Sequence, residues 1–215
     1  RGSQFTLSAQ FTPPYSLFSK KDYKSLYESS SRADREELYR WIEYYKIKFK
    51  SRVYTPLNNS EKYTLVLMGR ADFGLLGSYN KYKQTPFETF HVGGDGMTGS
   101  YTYATETIGL RGYDNGALTP YSDGRAYTRF SMELHFPFLL QPSSTIYGLA
   151  FVEGGNAWTS LENFNPFSLK RSAGVGVRIF LPMIGLMGID WAYGFDKVQG
   201  EKGGGHFHFI LGQEF

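Results

Sequence analysis

The 215-residue chain carries 23 Lys and Arg against 20 Asp and Glu, a formal charge of +3, and no cysteine. So balanced a charge argues against a general nucleic-acid binder, and the missing thiols exclude a disulfide framework or cysteine chemistry. The longest nearly apolar stretch, 179–189, is about eleven residues and contains Pro182, too short for the roughly twenty of a spanning helix, whereas a spanning strand needs only about nine to eleven.

In composition, 17 Tyr, 18 Phe, 3 Trp and 25 Gly with a mean hydropathy of −0.37 suit strands with one greasy and one wet face. The chain opens on Arg1 without a charged n-region or apolar h-region, which reads as a mature or truncated segment.

Taken in order, the first period-two row is Phe5, Leu7, Ala9 and Phe11, opposed by Gln4, Thr6, Ser8 and Gln10. A long polar connection, 19–40, follows. In 42–55 Tyr45, Ile47, Phe49 and Val53 face one way and Lys46, Lys48, Lys50 and Arg52 the other. Lysines beside Tyr44, Tyr45 and Phe49 have the composition of a single-strand nucleic-acid binder. The two types mostly occupy opposite faces, however, so bases could not stack beside the charges, and a solvated wall is the better reading. After a short turn, 56–61, Leu65, Leu67, Ala71, Phe73 and Leu75 oppose Arg70 and Asp72.

The connection 80–124 is the longest. Gly94, Gly96 and Gly99 satisfy a G-x-G-x-x-G pattern, but Ser100, Tyr101, Thr102 and Tyr103 follow with no helical period, so a turn is expected rather than a pyrophosphate cradle. Next, Thr128, Phe130, Met132, Leu134 and Phe136 oppose Arg129, Ser131, Glu133 and His135. A short turn, 137–144, leads to a strand at 145–153 that is apolar on both faces, which implies that something covers its inner side. Beyond a loop at 154–168, Ala173, Val175, Val177, Ile179 and Leu181 oppose Ser172, Gly174, Gly176 and Arg178. The turn 182–184 leads to Met187, Ile189, Trp191, Tyr193 and Phe195, opposed by Gly188, Asp190, Ala192 and Gly194.

After the loop 196–203, the last row is Phe207, Phe209, Leu211, Gln213 and Phe215, opposed by His206, His208, Ile210, Gly212 and Glu214. The two histidines could share a metal, but no matching Cys or carboxylate pair completes a site. With no H-E-x-x-H, no G-x-S-x-G and no triad, neither an enzyme nor a cofactor is expected.

Eight strands result, several of about twelve residues or more against a usual length of about five to six in soluble sheets. Their connections alternate between short turns and long loops, as on the two rims of an outer-membrane barrel. Tyr54, Tyr63, Tyr79, Trp158 and Trp191 are candidates for the interfacial aromatic girdles. The fold class predicted is therefore all-β, an antiparallel transmembrane β-barrel wall.

Pro86, Phe87, Glu88, Thr89, Phe90, His91, Val92, Gly93 and Gly94, with Gly109, Leu110, Arg111, Gly112 and Tyr113 downstream, resemble the loop-six signature of the BamA/Omp85 family. Phe151, Val152, Glu153, Gly154, Gly155, Asn156, Ala157 and Trp158 are similar to the family's next strand, and Ser172 to Arg178, Pro182, Gly212 and Phe215 extend the match over essentially the whole chain. The resemblance implies that residues 1–215 are strands nine to sixteen of a sixteen-stranded barrel, with the loop 80–124 folded inward. It implies that Arg111, within Leu110, Arg111, Gly112 and Tyr113, pairs with lumenal acids at Glu133 and Glu153, and that Phe207, Phe209, Leu211 and Phe215 mark the C-terminal strand. The function implied is insertion and folding of other barrel proteins in the outer membrane of a Gram-negative bacterium. Its partners would be the lipid bilayer, unfolded outer-membrane proteins and accessory lipoproteins, with no cofactor and no nucleic acid. A two-partner secretion or TamA-like barrel and a porin-like transport or adhesion barrel are the alternatives.

Overall fold

A computed structural model describes residues 2–58, 60, 63–96, 106–121, 123–141, 144–183, 185–198 and 203–211. Its main element is one antiparallel sheet of eight strands. In chain order these are β1 (Gly2–Phe11), β2 (Tyr45–Pro56), β3 (Val66–Gly77), β6 (Ala126–Gln141), β7 (Ser144–Trp158), β8 (Lys170–Leu181), β9 (Gly185–Gly194) and β10 (Gly205–Leu211), each paired with the next. The long third connection contributes β4 (Phe90–Val92) and β5 (Glu106–Ile108), a short parallel pair. Among the described residues β1 and β10 are the two edges and the sheet is open. No helix of the described chain is long and apolar enough to cross a membrane, which bears on helical spans alone.

Side-chain parity follows the alternation of the sequence. Phe5, Leu7, Val175, Ile189, Phe207, Phe209 and Leu211 are exposed on one face, while Arg70, Asp72, Arg129, Glu133, Arg178, Asp190 and His208 are buried on the other. A soluble sheet would do the reverse. Apolar out and polar in suits a wall whose outer solvent is hydrocarbon and whose lumen is filled by its own loop.

Four boundaries differ from the sequence expectation. β6 runs on to Gln141 and β7 begins at Ser144, inside the turn expected at 137–144, because Pro137 is accommodated within β6 at a register shift between Pro137 and Leu139. β7 runs on to Trp158, so Gly154, Gly155 and Asn156 are strand rather than loop. They are held by the ladder to β6, and the missing side chains at Gly154 and Gly155 leave room for Leu169 and Leu110. Between β2 and β3 the connection spans 57–65, longer than expected. The connection 12–44 contains three short helices, α1 (Tyr15–Phe18), α2 (Tyr23–Glu28) and α3 (Arg32–Tyr39), with β2 beginning only at Tyr45. Asp22 caps α2 by accepting from Lys24 N–H at 3.1 Å.

The long connections 12–44, 78–125, 159–169 and 195–204 leave one rim, and the shorter ones the other. Connection 78–125 turns back inside the curve of the sheet. Its Phe90, Val92 and Ile108 pack with Leu76 of β3 and Tyr127 of β6 into a buried cluster, Tyr127 meeting Phe90 edge-on at 4.7 Å. A side chain at Gly74 would collide with the Tyr127 ring. Leu149 and Phe151 of β7 pack with Ala192 of β9 in a second cluster. The inner face of β7, apolar in the sequence, is thus covered.

Candidate functional site: the lumenal arginine of the long loop

The tip of the loop is tied together by its own backbone bonds and laid against the wall by a side chain of β6. Gly94 and Leu110 exchange a pair at 3.1 and 2.9 Å, and Gly93 N–H donates to Ile108 at 3.0 Å. Arg129 of β6 donates to the Gly109 carbonyl at 2.6 Å. Leu110, fully buried, rests against Gly155, where a Cβ would come within 3.0 Å of it. This delivers the next residue, Arg111, to the middle of the inner face.

Its backbone N–H donates to Glu153 Oε2 at 3.0 Å. From the guanidinium, Nη2 donates to Glu153 Oε1 at 2.6 Å and to Glu133 Oε1, and Nη1 donates to Asp190 Oδ2 at 3.0 Å. The guanidinium carbon stands 3.5 Å over the centre of the Phe151 ring. A planar fork that meets three carboxylates and an aromatic face at once is a task for arginine and not lysine. Arg178 of β8 closes the other side of Asp190 with bonds of 2.5 and 2.7 Å, and His135 Nε2 lies 2.8 Å from Glu133 Oε2. Every charge here is buried, and each carboxylate meets at least one cation, the condition under which buried charges are tolerable.

Gly112 follows with φ of 85°, a left-handed conformation that favours glycine. A Cβ there would come within 2.8 Å of Ser172 Cβ and 3.0 Å of Gly194 N, so two backbones pass closer than side chains allow. Its N–H donates to His208 Nε2 at 2.9 Å. Tyr113 then turns toward the loop rim and donates from its hydroxyl to the Arg171 carbonyl at 2.6 Å. Burial pushes that hydroxyl up to about 12, so it remains a donor. At the same rim Asp196 accepts from Arg171 N–H at 2.7 Å and is bridged to its guanidinium at 2.9 Å, which holds the carboxyl below the usual range.

Of the residues singled out in the sequence, Arg111, Glu133 and Glu153 meet, and Leu110, Gly112 and Tyr113 brace that meeting. Phe207, Phe209 and Leu211 point outward from β10, away from it. Phe215 and Gly212 lie outside the described residues, as does Gly99 of the glycine pattern. The sequence assigned no role to Asp190, Arg178 or the ring of Phe151, and His208 was weighed there only as a metal ligand and set aside. An acid on an inward parity between Gly188 and Ala192 was the available signal for Asp190. Gly176 across from it has no room for a Cβ, which would lie 1.7 Å from Asp190 Oδ1. Among the described residues no three His, Cys, Asp or Glu are grouped to hold a metal.

Two more charged groups support the loop from the β2 and β3 side, one of them only through Arg129, which donates to Gly109. Asp72 is shared by Arg70 and Arg129 at 2.7 and 2.5 Å. Glu106, at the start of β5, is bridged to Lys48 at 2.9 Å, Lys46 at 3.3 Å and Lys50 at 3.7 Å. The basic row of β2 is therefore a lumenal wall that neutralises the loop.

All 215 residues match the model of the Omp85 superfamily domain. The chain belongs to the Omp85 superfamily. Among solved structures, an Omp85 relative similar to it is BamA from Haemophilus ducreyi, in a form lacking POTRA domains 1–3. The two share 21% identity at a TM-score of 0.56 over 77% of this chain and 34% of the other. At that identity the likeness is one of fold. The chain spans about a third of the length of that BamA chain.

Proposed function

We propose that this chain is the strand nine to sixteen half of a sixteen-stranded Omp85 barrel that inserts and folds other β-barrel proteins into the outer membrane of a Gram-negative bacterium. The observation that carries the reading is the fixing of Arg111 inside the wall by Glu133, Glu153 and Asp190. An inward loop bolted at mid-wall blocks a simple open pore, and it ties strands β6, β7 and β9 to one point. Work on a substrate would then occur at the sheet edge, where unpaired N–H and C=O groups can template an incoming strand. No covalent step and no cofactor enter such a mechanism, whose partners are lipid, unfolded barrel proteins and accessory lipoproteins.

The test is reconstitution of the full-length protein in vesicles, with folding of an added outer-membrane protein followed by its heat-modifiable gel shift. Acceleration that falls in Arg111→Ala, with the barrel itself still folded, supports insertion. Secretion of a soluble polypeptide across the vesicle wall without acceleration of barrel folding replaces it by the two-partner secretion reading.

A further inference from the structure

β10 is an edge of the described sheet and pairs with β9 alone. Its inward row nevertheless meets the loop through two histidines, whose rings stack with centroids 6.2 Å apart. His208 is buried, with Nε2 at 2.9 Å from the N–H of Gly112, the residue that follows Arg111. An amide N–H only donates, so Nε2 accepts and the ring proton resides on Nδ1. Nearer the loop rim, His206 Nδ1 lies 3.2 Å from the Asp114 carboxylate.

The two contacts respond to a proton in opposite ways. An imidazolium carries no lone pair, so protonated His208 sets a second donor against the Gly112 N–H and the bond is lost. The His206 contact with Asp114 gains full charge under the same conditions. The groups facing His208 are arranged on both sides of this balance. Arg111 and Asp95 belong to the loop, Asp190 to β9 and His206 to β10, while Arg70, Arg129, Glu133 and Glu153 from β3, β6 and β7 line the same small cavity.

We propose that His208 is a proton-sensitive latch between the arginine loop and the edge strand β10, closed while the imidazole is neutral and open when it is protonated. Closed, it makes the position of β10 depend on the Arg111 cluster, although no carboxylate of that cluster lies on β10. Open, it leaves β10 held by its ladder to β9 and by the rim contact of His206. On the insertion reading, and resting on it, the latch keeps the edge strand from re-pairing until the loop lets go.

The test uses the full-length barrel in detergent and in lipid, with amide hydrogen exchange followed over residues 110–116 and 205–211 from about pH 8 down to about pH 4. Protection is expressed relative to unfolded peptide at each pH. Wild type is expected to lose protection several-fold as the pH falls in both segments. His208→Gln, whose amide oxygen accepts without titrating, is expected to keep it throughout, and His208→Ala to lack it throughout. Identical pH profiles for wild type and His208→Gln, or full protection in a folded His208→Ala barrel, overturn the latch. Insertion activity that ignores every variant while the exchange pattern holds overturns the insertion reading and leaves the latch standing.

Discussion

Arg111 and Asp190, 79 residues apart in the chain, lie 3.0 Å apart across the lumen. Asp190 is completely buried and receives two further bonds from Arg178, so loop and wall share one carboxylate. Removing either end of this arrangement leaves a charge stranded in a dry place, which sets the scale of the first prediction.

Arg111→Ala is expected to loosen the loop at a local cost of about 3 to 5 kcal/mol, the usual penalty for breaking a buried charged pair. The wall persists on its own ladder. Limited proteolysis should show faster cleavage in 106–121 with an unchanged heat-modifiable shift of the whole barrel. Arg111→Lys should not restore protection, because one ammonium cannot meet three carboxylates in their fixed positions. A protease pattern identical to wild type in Arg111→Ala would remove the anchoring role.

Gly176→Ala tests Asp190 without touching any charge. The new Cβ would lie 1.7 Å from Asp190 Oδ1, so Asp190 must leave its bonds to Arg178 and Arg111. Loss of stability by about 1 to 3 kcal/mol is expected from the overpacking, read from the denaturant midpoint. Gly2→Ala, where nothing lies within 4 Å of the added carbon, is the matched control. Equal midpoints for the two variants contradict the close approach.

The face assignment is checked on one strand. Leu7 points outward from β1 and is 72% exposed, whereas Thr6 points inward. In lipid, Leu7→Lys should cost about 2 to 4 kcal/mol near the bilayer midplane, and Thr6→Lys far less. Unfolding titrations in vesicles give both numbers, and a larger loss for Thr6→Lys would invert the wall.

Acid should act first at the loop rim. Arg171 holds the Asp196 carboxyl below its ordinary range, so the folded value is depressed. The contribution is therefore complete above the ordinary carboxylate range near pH 4 and is lost as pH falls through the lowered value. The Arg171 side chain is well exposed, so the effect is small and salt-sensitive. Amide exchange of residues 195–198 should rise on acidification in wild type. In Asp196→Asn it should already be raised at neutral pH, and a flat profile in wild type speaks against the bridge.

Much of the wall was legible because strand parity is local. In the row Arg129, Ser131, Glu133 and His135, successive side chains must alternate, so one inward residue places the others. Glu153 was legible through the family resemblance, which its place on an apolar strand that needed cover then supported. The end of β7 was legible only through the resemblance, since by composition Gly154, Gly155 and Asn156 read as loop and are strand because β6, β8, Leu110 and Leu169 occupy the space around them. The helices at 15–39 escaped notice because they are short, and Asp22 is a weak signal in a polar stretch.

The amino-acid sequence by itself determined the eight strands and their two faces, which follow from steric alternation, and carried the Leu110, Arg111, Gly112 and Tyr113 motif, which stood out by its resemblance to the family signature. Only the tertiary structure decided which groups that motif touches. Gly112 reaches His208 across 96 residues and Arg111 reaches Asp190 across 79. Such pairs depend on the register of successive ladders and on the curvature that brings β6, β7, β9 and β10 around one loop. Neither quantity is carried by any local stretch of chain. Both are set by the pairing of all eight strands together, as successive ladders accumulate twist across the sheet.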